Sequence, residues 1–119
     1  MASQTVSPAD IKLPKADDFV SAFGCEHSID ADYYEKYHFQ DDHGATARLT
    51  FGHADNSFGL SLWEDGVELV KIYDEFLESA SIDESSQSVV ITMRHGATDQ
   101  RVKLIVWPKF LLSIEGMSG

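Results

Sequence analysis

Arg94, His95, Gly96 and Thr98, in the stretch MRHGATDQ, are the residues of this chain whose types and order come nearest to a reaction centre. An imidazole beside a guanidinium can accept a phosphoryl group, because the cation balances the charge that arrives with it. A pocket for so anionic a group needs further cations and a second histidine brought in from later in the chain. Only 24 residues follow His95, and none of them is a histidine. No helix start follows Gly96; another β-rich run, QRVKLIVW, does.

The four residues are similar to the histidine-phosphatase signature, which would make His95 a phosphoryl acceptor in a larger α/β domain. Ala97 stands where that family usually has Glu or Gln, and no Asn follows Gln100. The chain has no room for the remaining α/β units, so the motif lacks its setting. A turn explains it better. H-G-A-T occurs at 43–46 and again at 95–98, each time between alternating runs and each time followed by an arginine, Arg48 or Arg101.

The other chemistry-bearing groups are weaker. HFQDDH gathers His38, Asp41, Asp42 and His43, with His53 and Asp55 close behind. Imidazole and carboxylate are genuine metal ligands, but this spacing fits no standard site and reads equally as a polar turn. Cys25 precedes Glu26-His27 without the setting of a thiol nucleophile, and no strand–turn–helix nucleophile elbow is present. The expectation is a protein that is not an enzyme and holds no cofactor or metal.

The elements around these residues read as mainly β. PKADDFVSAFG predicts a short N-terminal helix, with Phe19 and Phe23 on one face and Gly24 to end it. From Asp32 the period becomes two. Tyr33, Tyr37 and Phe39 share one face and Tyr34, Lys36 and His38 the other; Ala45, Ala47, Leu49 and Phe51 point inward, Arg48 outward. Phe58, Leu60 and Leu62 follow, then Glu64-Asp65-Gly66 as a hairpin turn and VELVKIY as the return strand. Residues 74–87 are mixed, a short helix or a bent edge. SVVITMRH and QRVKLIVW flank the second H-G-A-T, and Pro108 separates a last short strand, KFLLSIE. About seven strands with short turns must pair antiparallel. The fold class expected is mainly β (α+β), an antiparallel sheet or sandwich with one short helix, as a single domain over 1–119 with a loosely ordered leader at 1–14.

Charge is the strongest compositional signal. Twenty acidic residues oppose nine basic ones, for a net charge of −11. Residues 1–87 hold 18 of the acids and 5 of the bases. Such a body repels phosphates, which excludes direct nucleic-acid binding, and favours a protein partner with a basic surface. The lone cysteine forbids an intramolecular disulfide and suits a reducing cytoplasm. No stretch is apolar enough to span a membrane. Aromatics beside acids mark the candidate partner-binding set: Tyr34, Asp41, Asp42, Trp63, Glu64, Asp65, Tyr73, Asp74, Glu75 and Glu78. The aromatics would anchor and the carboxylates would steer.

In size, acidity and β-rich architecture the chain resembles the immunity proteins that bacteria make against their own secreted toxins. The resemblance rests on no motif. It implies a cytoplasmic inhibitor, a monomer or weak dimer, that blocks the basic active-site surface of one cognate toxin domain. The alternative is an adaptor that self-associates, its C-terminal strand docking on a second copy's acidic body.

Overall fold

The computed structural model describes residues 11–118. It holds one helix, α1 (Ala16–Phe23), and nine strands: β1 (Glu26–Ile29), β2 (Tyr34–Gln40), β3 (Thr46–Gly52), β4 (Ser57–Glu64), β5 (Val67–Asp74), β6 (Leu77–Asp83), β7 (Ser88–His95), β8 (Thr98–Ile105) and β9 (Leu111–Ser118). Strands β1–β5 form one antiparallel meander and β6–β9 a second. The mainly-β class with a short N-terminal helix therefore holds. The strand count exceeds seven because two short or irregular segments are strands.

Alternation explains why the two meanders face each other. In β2, β3 and β4 the buried side chains are Tyr37 and Phe39, then Ala47, Leu49 and Phe51, then Phe58 and Leu60. Val89, Ile91 and Met93 of β7 and Val102 and Leu104 of β8 answer them, and all join one continuous hydrophobic core. Alternate residues can do this only if a sheet buries one face. α1 closes the side of the sandwich. Phe19, 0% exposed, lies 4.2 Å from the Tyr37 ring, and Phe23 meets Phe39 edge-on. The helix ends at Gly24, as the sequence predicts, and the Gly24 N–H donates to the Val20 carbonyl.

Several expectations are corrected. Tyr33 is not an inward-facing strand residue: it has φ 65° in the turn before β2 and is 77% exposed. Of the two expectations for residues 74–87, a short helix or a bent edge, the second holds: they carry the edge strand β6. The chain crosses from the first sheet to the second through Glu75 and Phe76, then forms β6, whose pairing with β7 slips between Leu77 and Ser79. β1 escapes the sequence because EHSI is four residues long and mostly polar.

The hairpin at His95 decides the first question. Residues 88–95 and 98–105 pair antiparallel, with His95 opposite Thr98, and the turn is Gly96-Ala97. The His95 Nε2–H donates to Asp74 Oδ2 at 2.8 Å, and the ring packs at a tilt against Phe76. It fastens the end of β7 to the crossover between sheets. The earlier H-G-A-T is built differently, on a five-residue loop after Gln40, so the repeat is not a duplicated hairpin. Pro108 lies in the loop between β8 and β9 rather than in a strand. Residues 1–10 of the expected leader lie outside the described residues. Just after them, Lys12 pairs with Ser79 on the outer edge of β6.

If the inner face carries the stability, Leu49→Ala should lower the unfolding free energy by about 2–5 kcal/mol, the range for large-to-small core substitutions. Leu69→Ala, at a side chain 60% exposed, should change it by less than about 0.5 kcal/mol. Urea denaturation of the two variants checks the assignment of faces.

Candidate functional site

The outward positions of the first sheet form rows across the strands. One row is Glu26, His38, Arg48, Ser61 and Lys71; the next is Ser28, Lys36, Thr50, Gly59 and Tyr73; a third sets Tyr34 beside Gly52 and Ser57. At the other end Thr46 stands opposite Trp63. The strand β4 thus carries only Ser57, Gly59 and Ser61 at the centre of this face. Longer side chains rise from β3 and β5 on either side, leaving a trough of about 270 Å³.

Aromatics bound the trough, and each is held in place. The Tyr34 ring lies across Gly52: a Cβ there would sit 2.3 Å from Tyr34 Cε1. The Tyr34 hydroxyl donates to Asp55 Oδ2 at 2.8 Å, and that bond pushes the Tyr34 phenol above its ordinary pKa. Burial works against the Asp55 carboxylate, but hydrogen bonds from Ser57 and Tyr34 outweigh it and hold the group below the usual range. Tyr73, 61% exposed, donates to Glu75 Oε2. Trp63 is covered by the Arg48 guanidinium, 5.2 Å from the ring centroid, a cation–π arrangement that holds both groups.

The candidate acids sort into different places. Asp42 lies in the β2–β3 loop and Glu64 and Asp65 in the β4–β5 turn, all exposed at one end of the first sheet. Asp65 and Gly66 both have positive φ, 52° and 78°, the geometry of a two-residue type I′ hairpin turn, which is why the EDG signal was readable. Glu75 stands at the opposite end, below Tyr73. Glu78 is elsewhere: it pairs with Arg94 of the second sheet, which also holds Asp99.

Two of the acids are structural. Asp41 is 6% exposed. Its Oδ1 accepts the His43 and Ala45 N–H groups and its Oδ2 the Phe110 N–H, so it ties the β2–β3 loop to the β8–β9 loop. Burial raises its pKa, but the three backbone donors win and hold the carboxyl below its ordinary value. Asp74 is largely covered, accepting from Phe76 N–H and paired with His95. Both acids are thus engaged within the fold.

His38 stands in the middle of the outer face, while the Asp41 oxygens are occupied by backbone donors. Among the described residues no group of three His, Cys, Asp or Glu is arranged to hold a metal. Glu35 does gather His27 and His53, with the Tyr37 hydroxyl, at the margin of the inner face. Burial opposes its charge, and the two histidines nonetheless keep its pKa low. Cys25 is buried and its thiol is pushed up to about 11 by desolvation, which leaves little thiolate to react.

Sequence reasoning missed Lys36, Arg48 and Lys71. They are the three basic residues between Ala16 and Met93, and all three lie on this one face. The alternation already turns Lys36 and Arg48 outward, but the surplus of acids in the composition masks them.

No protein-family model matches the sequence, and no curated protein matches it. A solved structure does. It is the contact-dependent growth inhibition toxin–immunity protein complex from Klebsiella pneumoniae 342. The match covers 91% of this chain and 98% of that one, with a TM-score of 0.79 and 12% sequence identity. The chain shares its fold with a component of a toxin–immunity complex. The resemblance drawn from size, acidity and β-rich architecture therefore holds as a likeness of fold. Among the described residues no helix is long and apolar enough to cross a membrane.

Asp41→Ala should cost about 2–3 kcal/mol, because three backbone donors lose a charged acceptor. The sign of the pH effect follows from the lowered pKa: the stabilisation is present above the ordinary carboxylate range and is lost as pH falls through the depressed value. Wild type should therefore lose stability on acidification more steeply than Asp41→Ala, as thermal melts between neutral and acid pH would measure. Gly52→Ala should displace the Tyr34 ring, costing about 1–3 kcal/mol through overpacking. It should also return the Tyr34 phenol toward its ordinary pKa, read by ultraviolet titration.

Proposed function

We propose that this chain is a bacterial immunity protein that binds a cognate toxin domain and blocks its active-site surface. The observation that carries the reading is the match of nearly the whole chain, in both directions, to a component of a toxin–immunity protein complex. The net charge of −11 and the exposed acids at both ends of the first sheet suit a toxin with a basic working surface. Tyr34, Trp63 and Tyr73 supply rigid aromatic contact area between those ends. Inhibition by occupation needs no catalytic group in the inhibitor, and a single buried thiol suits action in the cytoplasm.

The direct test is co-expression with the toxin domain encoded by the neighbouring reading frame. The chain should restore growth of a sensitive host and co-purify with the toxin at equal stoichiometry. Loss of growth with no co-purification would sink the proposal.

Electrostatic steering gives a second test. Glu64→Lys with Asp65→Lys should slow association roughly tenfold at low salt and flatten its salt dependence, without lowering the melting temperature. Wild-type association rates that are equal at low and high salt would remove the electrostatic part.

The alternative reading, self-association, has one observation in its favour. β9 is an edge of the second sheet, with Leu111 58% and Ile114 50% exposed. A strict monomer by light scattering at high concentration would eliminate it.

A further inference from the structure

Between its two acidic ends, the first sheet carries a cationic middle. We infer that the trough along β4 receives a carboxylate side chain of the partner protein, held between Arg48 and Lys71. This deepens the proposed inhibitor role and rests on it.

Arg48 and Lys71 are in register on β3 and β5, either side of Ser61 on β4. Neighbouring strands are about 4.8 Å apart, so the two cations emerge about 10 Å apart. That span admits one carboxylate between two long side chains. Lys36 already has a partner, Asp30, at 3.4 Å. Among the described residues no carboxylate lies within ion-pair distance of Arg48 or Lys71. In a chain with this excess of acids, two adjacent cations without an acidic neighbour stand out against the composition.

The floor is made to be approached. Gly59 contributes no side chain, and Ser57 and Ser61 are 4% and 5% exposed beneath the flanking residues. The Ser61 hydroxyl lies in the row between Arg48 and Lys71, whereas the Ser57 hydroxyl, four residues along β4, is engaged by Asp55. The walls are ordered beforehand, Arg48 by Trp63 and Tyr34 by Asp55, which lowers the entropic cost of binding. Arginine also meets a carboxylate with two parallel N–H bonds.

The occupant is a compact protein anion rather than a nucleic acid. From Ser57 to Ser61 the trough runs roughly 13 Å along the strand, with Trp63 beyond its end. A phosphate backbone longer than that would meet Asp55 and Glu75 at one end and Glu64 and Asp65 at the other. The face therefore reads negative, positive, negative along β4. A matching partner is basic with a carboxylate at its centre, and that pattern fixes register as well as charge.

The test uses the intact chain and the toxin domain from the neighbouring frame. Two variants alter the trough. Arg48→Glu with Lys71→Glu reverses its charge. Gly59→Gln fills it, and should fold normally: a Cβ at Gly59 meets Thr50 Cβ at 3.7 Å and the Ile72 carbonyl at 3.8 Å, ordinary contacts. Both should bind the toxin about 100-fold more weakly than wild type, with melting temperatures unchanged. A lysine replacing the toxin's central carboxylate should restore binding to the charge-reversed variant. Wild type that neither binds nor neutralises the toxin overturns the inhibitor role itself. Wild type that neutralises, with both variants binding as tightly, overturns the trough alone. A fluorescent single-stranded oligoribonucleotide supplies the last arm: binding by wild type that the variants abolish would make this a nucleic-acid surface and overturn the proposal.

Discussion

Tyr37, Leu49, Leu60 and Ile72 stand side by side across β2–β5, and the burial of this row sets the register of the first sheet. The first three are no more than 1% exposed. A slip of one residue at any pairing would turn a strand's apolar set to water and bring Lys36, Arg48 or Lys71 into the core. Desolvating a lone cation costs far more than one hydrogen bond returns. The outer face is thus fixed by what the inner face cannot give up. His38, Arg48, Ser61 and Lys71 share a row because they lie one residue along from buried neighbours.

The same constraint sorts the charges. Strand interiors offer outward positions where long basic side chains can lie over their neighbours, as Arg48 lies over Trp63. Acids collect in the loops, where short carboxylates accept backbone N–H groups: Asp41, Asp55, Asp74 and Asp83 all do so. A sandwich assembled this way is acidic at its ends and more basic on its faces. The net charge of −11 hides that division. Exposed pairs such as Arg94 with Glu78 contribute little to stability, and salt screens them, so the division matters for encounter more than for folding.

The period-two pattern made most of the fold legible. The inward set of β3, the helix ending at Gly24 and the type I′ turn at Asp65-Gly66 all follow from local chemistry. One failure was local and the others were not. Tyr33 fits the alternation of β2, yet Asp30 accepts from the Asp32 and Tyr34 N–H groups and bends the chain there. Asp41 looked like a surface acid because nothing nearby in sequence announces Phe110, 69 residues on, as its donor. The pairing of Asp74 was hidden for the same reason, since its partner His95 belongs to the other sheet. At the candidate site, the aromatics were legible from parity. The trough was not, because it depends on four strands in register and on a glycine whose value is what it leaves empty.

A fold shared at 12% identity follows from this architecture. Period-two burial can be satisfied by many apolar combinations of similar volume, so cores of this kind drift in sequence while the sandwich persists. The outer face of β4 is bound even less. Ser57 must accommodate the Tyr34 and Gly52 packing, but Gly59 touches nothing closer than ordinary contact. Charge and shape can change there without disturbing the Tyr37 row beneath. For an inhibitor that must match one toxin and refuse its relatives, that separation is useful: the buried face keeps the fold, and the opposite face of the same strands is available to follow the partner. In an inhibitor of the proposed kind, the order of charges along β4 would set specificity, because a like charge in the wrong place disfavours the wrong partner.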